Sequence, residues 1–165
     1  MLSKGGRPMG TVVTHGSPFR KGEGIMQNVN AKDRYGHTPL IEAAKGGDLE
    51  AVKDMLHRGA EVDAQSEKGK TALHYAAANG HVEVVKLLLT QGAQVDVRDK
   101  DWRTPLMLAA IYGCNHTVQA LLSAGADTHS RTLAGNTALV YAENNEHPLT
   151  AALLKKAQRL KETTV

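Results

Sequence analysis

Residues 71 to 93 read TALHYAAANGHVEVVKLLLTQGA, and the opening phrase of this stretch returns three times. It stands as TPLIEAAKGG from Thr38, TPLMLAAIYG from Thr104 and TALVYAENNE from Thr137, so Thr38, Thr71, Thr104 and Thr137 follow one another at a constant step of thirty-three positions. Gly59, Gly92 and Gly125 keep the same step, each followed by alanine. Strict self-similarity at this period points to a stacked array in which no unit buries its apolar face alone. Arrays of this kind work as binding surfaces far more often than as catalysts.

Each unit decodes in the same way. Thr38 is an N-cap candidate, and Pro39 takes the first helical position, where its missing N–H is harmless. Leu40, Ala43 and Ala44 form an apolar stripe at helical spacing, and Gly46 and Gly47 end the helix. A second helix is expected over Leu49 to His57, with Val52, Met55 and Leu56 on one face and Gly59 as a left-handed stop. Ala60 to Gly69 has no helical period and reads as an extended hairpin, here called a finger, leading to the next threonine. The unit is therefore hairpin, helix, turn, helix.

At this point the stretch from Thr71 to Ala93 resembles the ankyrin repeat consensus. The resemblance covers Asp33 to about Lys161 in four units, and the threonine-proline-leucine phrase, the alanine pair, the leucine pair and the glycine-alanine recur in register. It implies an all-α solenoid of four stacked units, at about 33–65, 66–98, 99–131 and 132–161, within a repeat domain over 28–161. Residues 1–27 are expected to be a basic, Gly- and Pro-containing tail without order of its own, apart from TVVTH, which could pair as a strand. Residues 162–165 form a short C-terminal tail. VNAKD, from Val29 to Asp33, looks like the end of a preceding unit.

The end units differ from the middle ones. Glu42 and Asp54 sit where the second unit has Tyr75 and Leu87, and Glu143 and Lys155 replace an alanine and a leucine of the other units. Such changes suit faces that meet water, so two internal repeats between two caps are expected. Asn115, in place of Leu49 and Val82, predicts looser packing of the third unit's second helix.

Composition agrees with thin helical layers. Aromatic residues make up only 4% of the chain, with one Trp and one Phe, so the core must be Leu, Ala and Val. Cys114 is the only cysteine, which excludes an intramolecular disulfide and predicts a reducing, intracellular setting, cytoplasmic with the nucleus as the alternative. Met1 to Ile25 holds no signal-peptide run, and nowhere does an apolar run reach the length that a membrane span needs. The net charge of +3 is unevenly spread: Met1 to Lys32 carries five basic residues against one acidic, Asp33 to Arg131 eleven against thirteen, and the remainder four against three.

Catalytic and metal motifs are not found. Eight histidines include no HExxH, one cysteine excludes zinc-ribbon spacing, and the tail glycines fit no phosphate loop. His74 belongs to the repeat phrase and is expected to hydrogen-bond backbone, and His81 fits the family's habit at the start of the second helix. His37, His57, His116, His129 and His147 share no repeat position on this reading and are expected at the solvated surface. Cys114 with His116 nearby lacks a third orienting group, so no nucleophile is expected. Neither a cofactor nor a metal is predicted, and the expected role is not that of an enzyme.

Binding is the function the resemblance implies, through a concave surface of finger tips and exposed first-helix residues. In this sequence that surface comprises Arg34, Tyr35, His37 and Lys45 from unit one and Glu67, Lys68, Lys70 and Asn79 from unit two. Unit three adds Lys100, Asp101, Trp102, Arg103, Ile111 and Tyr112, and unit four Leu133, Asn136, Asn144 and Asn145. Six basic residues here against Glu67 and Asp101 predict an acidic face on a protein partner, with the chain acting as a monomeric adaptor or scaffold. The alternative is a nucleic-acid-associated regulator using the basic tail and fingers, although no aromatic stacking platform or nucleic-acid motif is recognisable. Trp102 departs from Gly36, Gly69 and Gly135 at a position that wants a positive φ. It either anchors an interface beside Arg103 and Tyr112 or folds over the neighbouring finger. The resemblance further implies that Asn30, Asp63, Asp96 and His129 occupy the position at which such folds are hydroxylated.

Overall fold

The computed structural model describes residues 28–163, so the basic leading segment with its TVVTH stretch lies outside the described residues. Eight helices follow in order: α1 Pro39–Gly46, α2 Leu49–His57, α3 Ala72–Ala78, α4 Val82–Thr90, α5 Pro105–Ile111, α6 Asn115–Ser123, α7 Ala138–Asn144 and α8 Pro148–Glu162. They pair as α1–α2, α3–α4, α5–α6 and α7–α8. The first helices of the pairs stack on one another in one layer, and the second helices stack in another. The protein is an all-α repeat solenoid.

The local signals do what their chemistry predicts. The hydroxyls of Thr38, Thr104 and Thr137 accept the backbone N–H three residues on, at 3.3, 3.4 and 3.4 Å, and so cap α1, α5 and α7. In the third position of α3, His74 does the capping instead: its Nδ1 accepts the Thr71 N–H at 3.1 Å. α1 ends where Gly47 turns left-handed at φ 72° and returns its N–H to Ala43 and Ala44.

The core is a ladder of equivalent positions. Leu40, Leu73 and Leu106 are buried, as are Ala43, Ala76, Ala109 and Ala142. Val52, Val85 and Val118 repeat in the second layer with Met55, Leu88, Leu121 and Leu154. Alanines where the first helices meet let the backbones approach closely, and larger side chains fill the joint between layers.

Fingers contain no strand among the described residues; each is a tight turn closed by the same two main-chain groups. In finger two, Ser66 N–H donates to the Lys70 carbonyl at 2.9 Å and Gly69 N–H to the Ser66 carbonyl at 2.9 Å. A side-chain oxygen then accepts the amide four residues on, from Asp33, Ser66, Asp99 and Thr132 in turn. Single main-chain rungs stitch the fingers together: Glu67 to Tyr35 at 3.0 Å, Lys100 to Lys68 at 3.1 Å and Leu133 to Asp101 at 3.4 Å.

Repeat joints correct two expectations about histidine. His147 does share a position with His81, two periods earlier, and both are structural. The Nε2 of His81 donates to the Lys45 carbonyl at 3.1 Å and that of His147 to the Ile111 carbonyl at 3.0 Å. Cys114 holds the intervening position with a longer 3.7 Å contact to the Ala78 carbonyl, and burial pushes its thiol up, away from the reactive thiolate. His37 is half-buried as well: it donates from Nδ1 to Glu42, and its Nε2 accepts the Tyr75 hydroxyl at 2.9 Å.

The capping substitutions pair rather than simply facing water. Lys155 and Glu143 meet at 2.7 Å across the last unit, while Asp54 pairs with Arg58 at 3.4 Å on the first. Glu42 is drawn inward onto His37. Asn115 is held too, since its Oδ1 accepts the Thr150 hydroxyl at 2.6 Å between α6 and α8. Thr117, close by on α6, has a buried hydroxyl with no partner. Leaving such a group unpaired costs on the order of 1–3 kcal/mol. Thr117→Val, which fills the same space without the hydroxyl, should therefore raise the unfolding free energy by about 1 kcal/mol in urea titration.

Candidate functional site: the finger ridge and first-helix ends

The repeat places the expected surface residues in three rows. Arg34, Tyr35, Glu67, Lys68, Lys100, Asp101, Trp102 and Leu133 occupy the finger turns, joined into one ridge by the rungs above. His37, Lys70, Arg103 and Asn136 follow at the base of the fingers, four residues after the turn-forming Asp33, Ser66, Asp99 and Thr132. Lys45, Asn79, Ile111, Tyr112, Asn144 and Asn145 lie at the C-terminal ends of α1, α3, α5 and α7.

Many of these side chains are already engaged. Arg103 is spent on two carboxylates: its Nε donates to buried Asp99 at 3.0 Å, and its Nη2 reaches Asp101. Lys45 lies 3.6 Å from Glu42, and Asn79 donates to the Lys45 carbonyl at 3.0 Å, so it bridges two repeats. Asn145 turns back to the Tyr141 carbonyl at 2.8 Å. Asp33, His37 and Glu42 bring one ligand atom each within 4.8 Å of one another. Both His37 nitrogens and one Asp33 oxygen are used in hydrogen bonds, so the cluster closes on itself.

The positions matched to hydroxylation are engaged also. Asn30, Asp63 and Asp96 each accept the amide 31 residues on, those of Glu61, Gln94 and Asp127, and thereby tie one loop to the next. His129 makes no such bond; its own amide donates to Asp127 at 3.0 Å.

Trp102 and Tyr112 stand apart. Trp102 precedes α5 and Tyr112 follows it, and a seven-residue helix is about 10 Å long. Both are exposed, Trp102 by 48% and Tyr112 by 62%. Trp102 adopts φ 62°, the left-handed conformation that its glycine counterparts suggest. Its ring lies under the Arg98 guanidinium of its own finger, 5.0 Å from the ring centroid.

Arg98 and Tyr75 join the site although the surface expected from sequence omits them. Aligning the units on their threonines puts Lys32, Gln65, Arg98 and Arg131 in register, basic at three of four places. That regularity is visible in the sequence once the units are superposed. Tyr75 instead reads as core, and only the fold shows its ring under Lys70 at 5.6 Å and its hydroxyl on His37.

Electrostatics at the finger bases centre on His74 and Lys70. The His74 Nε2–H donates to the Arg103 carbonyl at 3.0 Å, tying α3 to finger three. Burial pushes its pKa down to about 4. The folded state therefore favours the neutral ring. This stabilisation is complete above pH 6.5 and is lost as pH falls from there through 4, by about 3 kcal/mol. In repeat three, Met107 takes the same place, its sulfur accepting the Thr104 N–H at 3.5 Å. A His74→Met chain should be less stable than wild type at pH 7.5 by about 1–2 kcal/mol. That gap should close between about pH 6 and 5 and reverse by pH 4 in parallel denaturation curves.

Left-handed backbone at Trp102 makes a second prediction. A side chain there costs about 1–2 kcal/mol, and the Arg98 contact returns about 0.5–1 kcal/mol. Trp102→Gly relieves the strain while Trp102→Ala keeps it and loses the contact. Unfolding free energies should rank Gly above Ala by about 1–2 kcal/mol, with the wild type between them.

A family profile described as ankyrin repeats in three copies matches the chain in three overlapping windows, residues 21–99, 40–132 and 91–164. A search of curated proteins finds none that matches. Among the described residues no helix is long and apolar enough to cross a membrane. Four helix pairs, the shared finger geometry and the strict repeat register agree with this match, and the chain belongs to the ankyrin repeat family.

Proposed function

We propose that the chain is a non-catalytic interaction module, an adaptor or regulator, that binds the acidic face of another protein through its finger ridge and the adjoining first-helix ends. Ankyrin repeats generally mediate protein–protein interaction. What supports the finer reading is the segregation of charge within one period. The fingers, 32–37, 65–70, 98–103 and 131–136, hold eight Lys or Arg against four acids, a net +4. The loops after the second helices, 59–64, 92–97 and 125–130, hold Glu61, Asp63, Asp96 and Asp127 and no Lys or Arg. A ridge of one sign raises the association rate and orients a partner of the other sign.

The core positions of the four units are nearly interchangeable, whereas the ridge positions are not. Tyr35, Lys68, Asp101 and Ala134 share one position in fingers of one backbone shape yet differ wholly in chemistry. Invariance that builds the stack and variation along its edge are the pattern of a scaffold carrying a recognition surface.

The test is comparative capture from native lysate with three immobilised chains, matched in helical CD and melting. These are wild type, a Tyr112→Ala, Lys100→Glu double variant, and Lys156→Glu on α8 as a control. A partner held by wild type and control, and at least about tenfold less by the double variant, is the expected result, since truncating an anchor costs more than about 1.4 kcal/mol. A partner held equally by all three would move the working surface away from the ridge and refute the reading.

A further inference from the structure

Among the described finger residues, Lys70 is half-buried and meets no carboxylate. Lys32, Arg34, Lys68, Arg98, Lys100 and Arg131 are exposed, and Arg103, half-buried like Lys70, takes both Asp99 and Asp101. The Lys70 ammonium lies over the Tyr75 ring. Burial, and next the Arg103 guanidinium beside it, push it down from its ordinary value. Asp99 and Asp101 oppose that shift from a distance but are held by Arg103, so this partly desolvated cation has no ion pair of its own and gains one when an anion arrives.

Fingers two and three abut at this point. A Cβ at Gly69 would lie 3.0 Å from the Lys100 amide, which itself donates to the Lys68 carbonyl. Among the described residues, the ammonium groups of Lys68 and Lys100 meet no carboxylate, unlike those of Lys45, Lys53, Lys86 and Lys155. On finger three stands the one tryptophan of the chain, 48% exposed and held by Arg98, and on finger four Leu133 is 68% exposed. Exposed apolar side chains on fingers three and four thus adjoin ammonium groups without ion pairs on fingers two and three.

We propose that Lys70 and Trp102 form the centre of a site for an extended acidic segment of a partner protein, with one carboxylate on Lys70 between fingers two and three and an apolar side chain on Trp102 and Leu133. Lys68 and Lys100 take the flanking carboxylates. The proposal rests on the reading of the ridge as the partner surface, and it narrows that reading to three fingers and one ligand chemistry. Nucleic acid fits less well. A stacking platform needs an aromatic at successive places, but the counterparts of Trp102 are Gly36, Gly69 and Gly135.

Trp102 reports on the site directly because it is the only tryptophan. The probe is a peptide of about ten residues, all glutamate but for one central leucine, long enough at about 3.3 Å per residue to lie along several fingers. Titrated into the full chain, it should shift Trp102 emission saturably. Its affinity should drop at least about tenfold in Lys70→Glu, fall as salt rises from about 0.05 to 0.5 M, and stay unchanged in Lys156→Glu. Matched melting curves exclude unfolding, and Lys70→Gln gives an intermediate loss.

No emission change, or equal binding by Lys70→Glu, overturns the proposal, as does equal binding of a glutamine version of the peptide. If lysate capture still depends on Tyr112 and Lys100, the broader reading survives that failure. An oligothymidylate that binds more tightly than the peptide would overturn both.

Discussion

Everything in this molecule depends on one unit closing the face of the next. An α1–α2 pair alone would leave Leu40, Ala44, Val52 and Met55 open along one side, and no unit carries the side-chain volume to fold over itself. The register keeps small residues where the backbones meet: Ala43, Ala76, Ala109 and Ala142 are all buried. The polar bonds follow the same register. His81 and His147 reach the carbonyl of the preceding first helix, and the finger rungs repeat from Tyr35 to Leu133. Cohesion is therefore between nearest neighbours, and stability accrues unit by unit.

Much of this is legible in the sequence because periodicity speaks for burial. Threonine caps, alanine stripes and glycine stops are local devices, and each is readable from its own few residues. The left-handed backbone at Trp102 is readable too, through its glycine counterparts. What sequence alone does not reveal depends on distance in the chain. His37 reads as a surface histidine because nothing within its own unit announces Tyr75, which is 38 residues away. Likewise Glu143 and Lys155 are each legible as caps, but their ion pair forms only when α7 and α8 fold together. Arg103 reads as a free charge on the ridge because Asp99 has the look of a turn residue, and only the folded finger makes Asp99 its counter-charge.

The site and the scaffold obey different rules. Where the fold needs a residue, the four units agree. At the finger tips the backbone is fixed by main-chain bonds, so the side chains are free to differ without cost to the stack. Trp102 is the exception that carries a cost, because it holds a conformation suited to glycine. Arg98 offsets part of that cost, and the indole is left on the ridge in one orientation rather than many. An ordered aromatic side chain loses little further entropy on binding, which is the property of a good anchor.

The last joint of the stack ties recognition to stability. Each inner unit is covered on both sides, while the fourth leans on one neighbour only. That one joint contains the Asn115–Thr150 bond, and α6 also carries the unpaired Thr117 hydroxyl. The positions of α2 and α4 equivalent to Thr117 are Ala51 and Val84, and those equivalent to Asn115 are Leu49 and Val82. Polar contacts of this kind help to fix the register of α8. Leu139, Val140 and Tyr141 of α7 are also only half-buried. In a stack ruled by nearest-neighbour coupling, a unit covered on one side opens at a lower free energy than one covered on both. Finger four, and with it Leu133, is held in place by that joint through the Leu133–Asp101 rung. A partner gripping fingers two to four would bind the closed stack and not the frayed one, so its binding energy would add directly to the stability of the fourth unit.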